Sequence, residues 1–257
     1  LTAAEALAVP GFLSNFGESA IRTPAVHLLG SGGDSAFAYI VLRPFGEKRG
    51  EVLNGYRLGR WPAERWLMSR SYFNPDGFVE VTRANASLAL SRRFTLGDFV
   101  THDQGAVWPK YVVLEENLID KLELVLDELE RGGVQARRAV VLSGFRAPYY
   151  NDRGVGEGMA RASRHMFGDA ADLILDSDGN GRMDDLTGDG RLTLGDTRPI
   201  ELAIARVEQR YPELRGGLGT YVATGPRGPF VHIDVRGVSA RWESGWWKKG
   251  AGKRVSG

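Results

Sequence analysis

The stretch Glu115–Arg131 leaves the chain little choice of local structure. Leu118, Leu122, Val125, Leu126 and Leu129 recur at i, i+4, i+7, i+8 and i+11, one apolar stripe on a helical period. Glu115, Glu116, Asp120, Glu123, Asp127 and Glu128 fall elsewhere and read as a solvated face. Gly132-Gly133 ends the helix. A helix with one apolar side must bury it, and Ala139-Val140-Val141-Leu142 follows as a buried strand. This order predicts an α+β fold, with helices flanking a mixed or antiparallel sheet.

Chemistry concentrates further on. The chain has His at 27, 102, 165 and 232 only. Two of these stand in carboxylate-containing segments, Ser163-Arg164-His165-Met166-Phe167-Gly168-Asp169-Ala170-Ala171-Asp172 and Phe230-Val231-His232-Ile233-Asp234. Two imidazoles and a carboxylate are the donors of a hydrolytic zinc site, which keeps a further position for water. His165, Asp172 and His232 are the natural set. His27 lies among Val26, Leu28 and Leu29 and reads as structural. His102-Asp103 reads as part of a surface loop, with no partner at ligand spacing.

The wider pattern Ser163-x-His165-x-x-Gly168-x-Ala170-x-Asp172 resembles the metal-binding motif of the zinc D,D-peptidase family. That family includes D-alanyl-D-alanine carboxypeptidases and peptidoglycan endopeptidases, with the Hedgehog signalling domain as a distant relative. Upstream, Ser143-Gly144-Phe145-Arg146-Ala147-Pro148-Tyr149-Tyr150-Asn151 is similar to its substrate-binding block, and Phe230–Asp234 is similar to its closing strand. The resemblance spans about residues 94–242. It implies a Hedgehog-like zinc domain that hydrolyses peptide bonds in peptidoglycan stem peptides or cross-links through a zinc-activated water. It also implies that Arg146 binds a substrate carboxylate or the developing oxyanion, with Ser163 hydrogen-bonding substrate or ordering the metal loop. Ser143 and Asn151 would fix loops. Some relatives carry a carboxylate three residues before the last His; here that position is Pro229. On a strand, Asp234 shares the face of His232. The expectation is therefore Asp234 as general base, with orientation of a metal ligand, or ligation itself, as the roles left open. The missing carboxylate also leaves room for a catalytically silent zinc- and calcium-stabilised binding module of the same fold.

Between Asp172 and His232 lies an acidic insertion, residues 176–196. Asp176, Asp178, Asn180 and Asp184 occupy positions 1, 3, 5 and 9 of an EF-hand-type calcium loop with Gly181 at its turn, although position 12 is Thr187. A second loop overlaps it, with Asp185, Thr187, Asp189, Thr193 and Asp196 at positions 1, 3, 5, 9 and 12 and Gly190 at 6. Two interleaved repeats point to a hard, oxygen-preferring cation such as Ca2+. A helix is expected over Pro199–Tyr211, burying Ile200, Leu202, Ala203 and Val207.

Residues 1–93 read as a small β-rich accessory domain in front of a catalytic domain at 94–257. Ala36–Phe45 reads as one strand, and Asn74-Pro75-Asp76-Gly77 as a turn into the alternating run Phe78–Thr82. Gly55–Pro62 carries exposed-looking aromatics, either a packed β corner or a groove wall. Residues 94–110 read as a connector, and the aromatic, basic tail Trp242–Lys249 as a frayed end with Trp242 docked on the core. Lys+Arg number 33 and Asp+Glu 32, so nothing implies a nucleic-acid partner. The chain lacks Cys, which excludes disulfides and thiolate metal sites. No apolar run of about 18 residues is present to span a membrane. The start at Leu1 is read as the product of signal removal, which with the substrate implies a periplasmic or secreted protein.

Overall fold

The structure is a computed structural model and describes residues 14, 17, 23–29, 37–66, 72–222 and 225–244. Most of the expected entry segment before Asp34, and the tail Trp246–Lys249, lie outside these residues. Among them the architecture is mixed α+β, with three α-helices and several sheets. The helices are α1 (Glu116–Arg131), α2 (Pro148–Arg153) and α3 (Arg198–Arg210). None is long and apolar enough to cross a membrane. The chain divides into two compact units, one of residues 1–116 and 143–169, the other of 117–142 and 170–257.

The first unit holds β1 (Ala25–Leu29), β2 (Phe37–Val41), β3 (Arg43–Pro44), β4 (Val52–Leu53), β5 (Tyr56–Arg57), β6 (Gly77–Val81) and β7 (Lys110–Val112). β1 pairs with β2 and β4 with β5, while β3, β6 and β7 form an antiparallel sheet in that order. The strand expected over Ala36–Phe45 breaks at the exposed Leu42, and a 3-10 turn takes Phe45–Glu47. Tyr56 and Trp61 are fully buried, so Gly55–Pro62 is a packed corner and not an exposed aromatic wall. Residues 94–110 are more than a connector. Phe94, Leu96 and Phe99 are buried, and the Phe99 carbonyl accepts from Phe145 N at 3.0 Å. Phe145, Met166 and Phe167 share one hydrophobic cluster with Trp61, Phe78, Leu96 and Tyr111. That shared core explains why the first unit runs past residue 93 and includes 143–169.

The second unit is built on a five-stranded sheet. Its strands are β8 (Ala139–Ser143), β9 (Ala170–Leu175), β10 (Gly217–Tyr221), β11 (Phe230–Asp234) and β12 (Ala240–Ser244), in the order β12-β10-β11-β9-β8. β11 runs antiparallel to both β9 and β10, and β12 runs parallel to β10, so the sheet is mixed. α1 buries the predicted stripe of Leu118, Leu122, Val125, Leu126 and Leu129. It closes on Gly133 at φ +84°, with Gly133 N bonded to Glu130 O and Val134 N to Leu129 O, both at 3.0 Å. Glu128 is not on a solvated face. It is buried, with Arg131, Arg206 and Arg210 around its carboxylate. Lys121 is fully buried as well, its Nζ 2.8 Å from both Glu208 Oε1 and the Asp234 carbonyl. α3 buries Ile200, Ala203, Ile204 and Val207. Leu202 is 46% exposed because two residues from Ile200 is the wrong side of the helix.

Candidate metal centre

Strand register brings the predicted ligands together. In the antiparallel pairing of β9 with β11, His232 stands directly opposite Asp172. Side chains at directly opposed positions lie on the same face and within reach of each other. His232 Nδ1 is 2.8 Å from Asp172 Oδ1, and His232 Nε2 is 3.2 Å from Asp234 Oδ2. His165 comes from a 3-10 turn at Arg164–Phe167, which Gly168 ends in the left-handed region at φ +70°. The His165 Nδ1 lies 2.7 Å from the Gly144 carbonyl, so it carries the proton and the ring's lone pair is on Nε2. His165, Asp172 and His232 are all buried, and one ligand atom from each lies within 4.8 Å of the others.

The donor set fits a cation on its own chemistry. A neutral imidazole has one N–H, yet His232 faces a carboxylate with each nitrogen. Burial pushes its pKa down, but hydrogen bonds to Asp172 and Asp234 outweigh burial and leave the pKa above its ordinary value. The group therefore calls for added positive charge, which either a second proton or a metal ion supplies. A buried group of two imidazoles and a carboxylate could hold a metal ion.

Asp234 sits on the same face as His232 but its oxygens are heavily engaged. They accept from Gly217 N at 2.6 Å, Arg236 N at 3.1 Å and Arg236 Nε at 2.8–2.9 Å, besides His232. Burial raises its pKa, but the bonds from His232, Arg236 and Gly217 win and hold the carboxyl far below the usual range. A carboxylate so stabilised is a weak proton acceptor. Its contacts suit the orientation of His232 better than the role of general base expected from the sequence, and it is not one of the clustered ligands.

The Arg146 block is tied to the His165 turn through the backbone. Arg146 N donates to His165 O at 3.0 Å, while Arg146 Nε donates to Ser143 Oγ at 2.7 Å. Ser143 therefore orients the guanidinium, and Asn151 Nδ2 fixes the Ala160 carbonyl at 3.0 Å, as loop-fixing residues should. Ser163 is buried at the start of the His165 turn, where its carbonyl accepts from Met166 N at 3.2 Å. That placement suits ordering of the metal loop. His27 lies in β1 with Nε2 3.0 Å from Thr23 O. His102 is exposed in its loop, and Asp103 pairs with Arg153.

Three contributors were not singled out from the sequence. Arg236 stands two residues past the end of β11 and reaches back to Asp234, a local contact that the sequence distance alone could have suggested. Gly219 lies opposite both His232 and Trp242. A Cβ there would lie 2.7 Å from Trp242 Cζ2, so glycine lets the indole cross the strand and reach His232 with ring centroids 5.2 Å apart. Trp242 is thus docked as expected, and from within a strand. Trp61 lay in the stretch read as a packed corner or groove wall, but its partner Met166 had no sequence signal, being 105 residues away.

In the insertion, Asp176, Asp178 and Asp184 offer ligand atoms within 4.8 Å of one another. Gly181 N and Gly190 N, each at position 6 of its loop, bond to the position-1 carboxylates of Asp176 and Asp185 at 3.2 and 2.7 Å. Thr187 N reaches Asp196 Oδ1 at 3.1 Å, so Thr187 serves the second loop. Asn180 and Asp189 each cap a backbone N–H two residues on, at 2.8 Å. No family model matches the chain, and no curated protein or solved structure matches it either.

Proposed function

We propose that the protein is a zinc metallopeptidase with a Hedgehog/D,D-peptidase-like catalytic domain, acting on peptide bonds of peptidoglycan. The observation that carries this is the buried group of His165, Asp172 and His232, two of them opposed across one strand pair. A zinc ion held there would act as a Lewis acid and lower the pKa of a bound water toward about 7. Asp234 orients His232 and keeps its ring from turning. Arg146, oriented by Ser143, would be the cation that meets a substrate carboxylate or an oxyanion. With a cell-wall substrate the protein would work in the periplasm or outside the cell.

A second reading, a zinc-holding binding module without catalysis, has one observation in its favour. Pro229 stands where some relatives carry a carboxylate, and Asp234 is bound by Arg236 and Gly217. Zinc content and release of muropeptides from purified peptidoglycan separate the two. The peptidase reading expects about one zinc per chain and fragment release, both lost in His165→Ala. Zinc without release from several wall types would favour the module, and no zinc would sink both.

The insertion is read as the calcium site of the same protein. Asp176, Asp178, Asn180 and Asp184 serve one loop, and Asp185, Thr187, Asp189 and Asp196 the other. Millimolar calcium is expected to raise the melting temperature of the zinc-loaded protein by several degrees, and Asp185→Ala to shrink that gain. A melting temperature indifferent to calcium would count against the assignment.

A further inference from the structure

Trp61 touches both motif blocks of the first unit with one side chain. Its indole is fully buried, and Nε1 donates to the Met166 carbonyl at 2.8 Å. Met166 is the residue after His165. The same ring stacks on Phe145 with centroids 6.4 Å apart and planes 20° apart, and Phe145 is the residue before Arg146. Phe45 and Phe78 hold the indole at centroid distances of 5.5 and 5.6 Å, and Trp61 N is fixed by Glu64 Oε2 at 2.7 Å. Nearby, Leu58 O accepts from Tyr149 N at 2.8 Å, a close approach that the bare Cα of Gly59 at φ +89° permits. Residues 58–61 thus grip the Arg146 block at two points and the His165 turn at one.

A buried tryptophan normally finds an acceptor, so the bond alone is ordinary. Its destination is what matters. The His165 carbonyl is taken by Arg146 N and Gly168 N, and the Ser163 carbonyl by Met166 N. The Met166 and Phe167 side chains already enter the hydrophobic core, and the Met166 carbonyl adds a directional tie of the turn's backbone to it. We propose that Trp61 is a positioning residue for the metal centre: through Met166 it sets where the His165 imidazole stands, and through Phe145 it keeps Arg146 in step with it. The proposal rests on the metal reading above, and it gives the segment before residue 93 a part in the site.

Trp61→Phe keeps an aromatic ring and removes the donor. Phe78→Leu disturbs the same core at a residue outside both blocks and leaves the Trp61 donor in place. Zinc dissociation constants would be measured by competition with a chromophoric chelator, alongside urea stability. Partners outside the ligand set typically matter about 10–100-fold, and Trp61 acts one bond further out. The expected result is about tenfold weaker zinc binding in Trp61→Phe and at most about twofold in Phe78→Leu. Unchanged affinity in Trp61→Phe overturns the proposal, and so does an equal loss in Phe78→Leu, which would reduce Trp61 to core packing. If the wild type takes up no zinc, the metal reading fails instead. Amide exchange then decides on Trp61. Faster exchange in Trp61→Phe at Arg146, Met166 and Gly168 than at the β6–β7 pairing upholds the positioning role, and a uniform change overturns it.

Discussion

Substituting His232 with alanine is expected to abolish stoichiometric zinc uptake and, unlike His165→Ala, to weaken the metal-free protein strongly as well. Removing one of three protein ligands from a site of this kind leaves two, too few to hold the ion tightly. The second effect comes from the neighbours. His232 faces Asp172 with one nitrogen and Asp234 with the other, and both carboxylates are buried. Asp234 keeps its bonds from Gly217 and Arg236, so the loss falls mainly on Asp172, and a bond removed from a buried carboxylate costs about 1–3 kcal/mol. His165 Nδ1 meets the Gly144 carbonyl, so its replacement takes a bond from a neutral acceptor there and not from a buried carboxylate. Metal analysis should therefore find both variants empty. Urea unfolding in chelator should separate them, with His232→Ala the less stable by at least about 1 kcal/mol. Equal stabilities would mean that the cross-strand carboxylate of Asp172 does not depend on His232.

The second large effect is expected from Gly168→Ala, a change of one methyl group. Gly168 adopts φ +70°, where an L side chain costs about 1–2 kcal/mol. A Cβ would also lie 2.6 Å from Leu114 N and closer still to the Val113 carbonyl, both backbone atoms that cannot swing away. Overpacking of that kind adds about 1–3 kcal/mol. The Gly168 carbonyl meanwhile accepts from Glu115 N at 3.0 Å, so the turn cannot shift without breaking that bond. A total loss of about 2–5 kcal/mol is expected by urea unfolding, with zinc affinity reduced because His165 is three residues away. A variant as stable and as metal-competent as wild type would show that the turn has slack.

The parts of this site that were legible in the sequence are those written in local pattern. Leu118 to Leu129 announced α1, and strand parity put His232 and Asp234 on one face. The clustering of His165, Asp172 and His232 was legible because few residue types bind metal ions and the chain is sparing with histidine. What the sequence withheld was partner choice. Asp234 looked available as a base because nothing in its neighbours reveals that Gly217 N and Arg236 converge on it. Glu128 looked solvated because its arginine partners Arg206 and Arg210 belong to another helix. Leu202 was misplaced by counting apolar residues without their angle on the helix. The limit of residue 93 failed to anticipate that Leu96 shares a core with Phe145 and that the Phe99 carbonyl holds the Phe145 N–H.

The opposition of Asp172 and His232 also bears on the order of events during folding. Sixty residues, the acidic insertion and α3 among them, separate two side chains that meet across one strand pair. Closing a loop of that length costs about 3–4 kcal/mol of chain entropy before any contact rewards it. A slip of one residue in the β9–β11 pairing would turn one of the two side chains to the other side of the sheet. A metal ion held by all three residues would therefore require the β9–β11 register, and its tight capture would report that the register has been found.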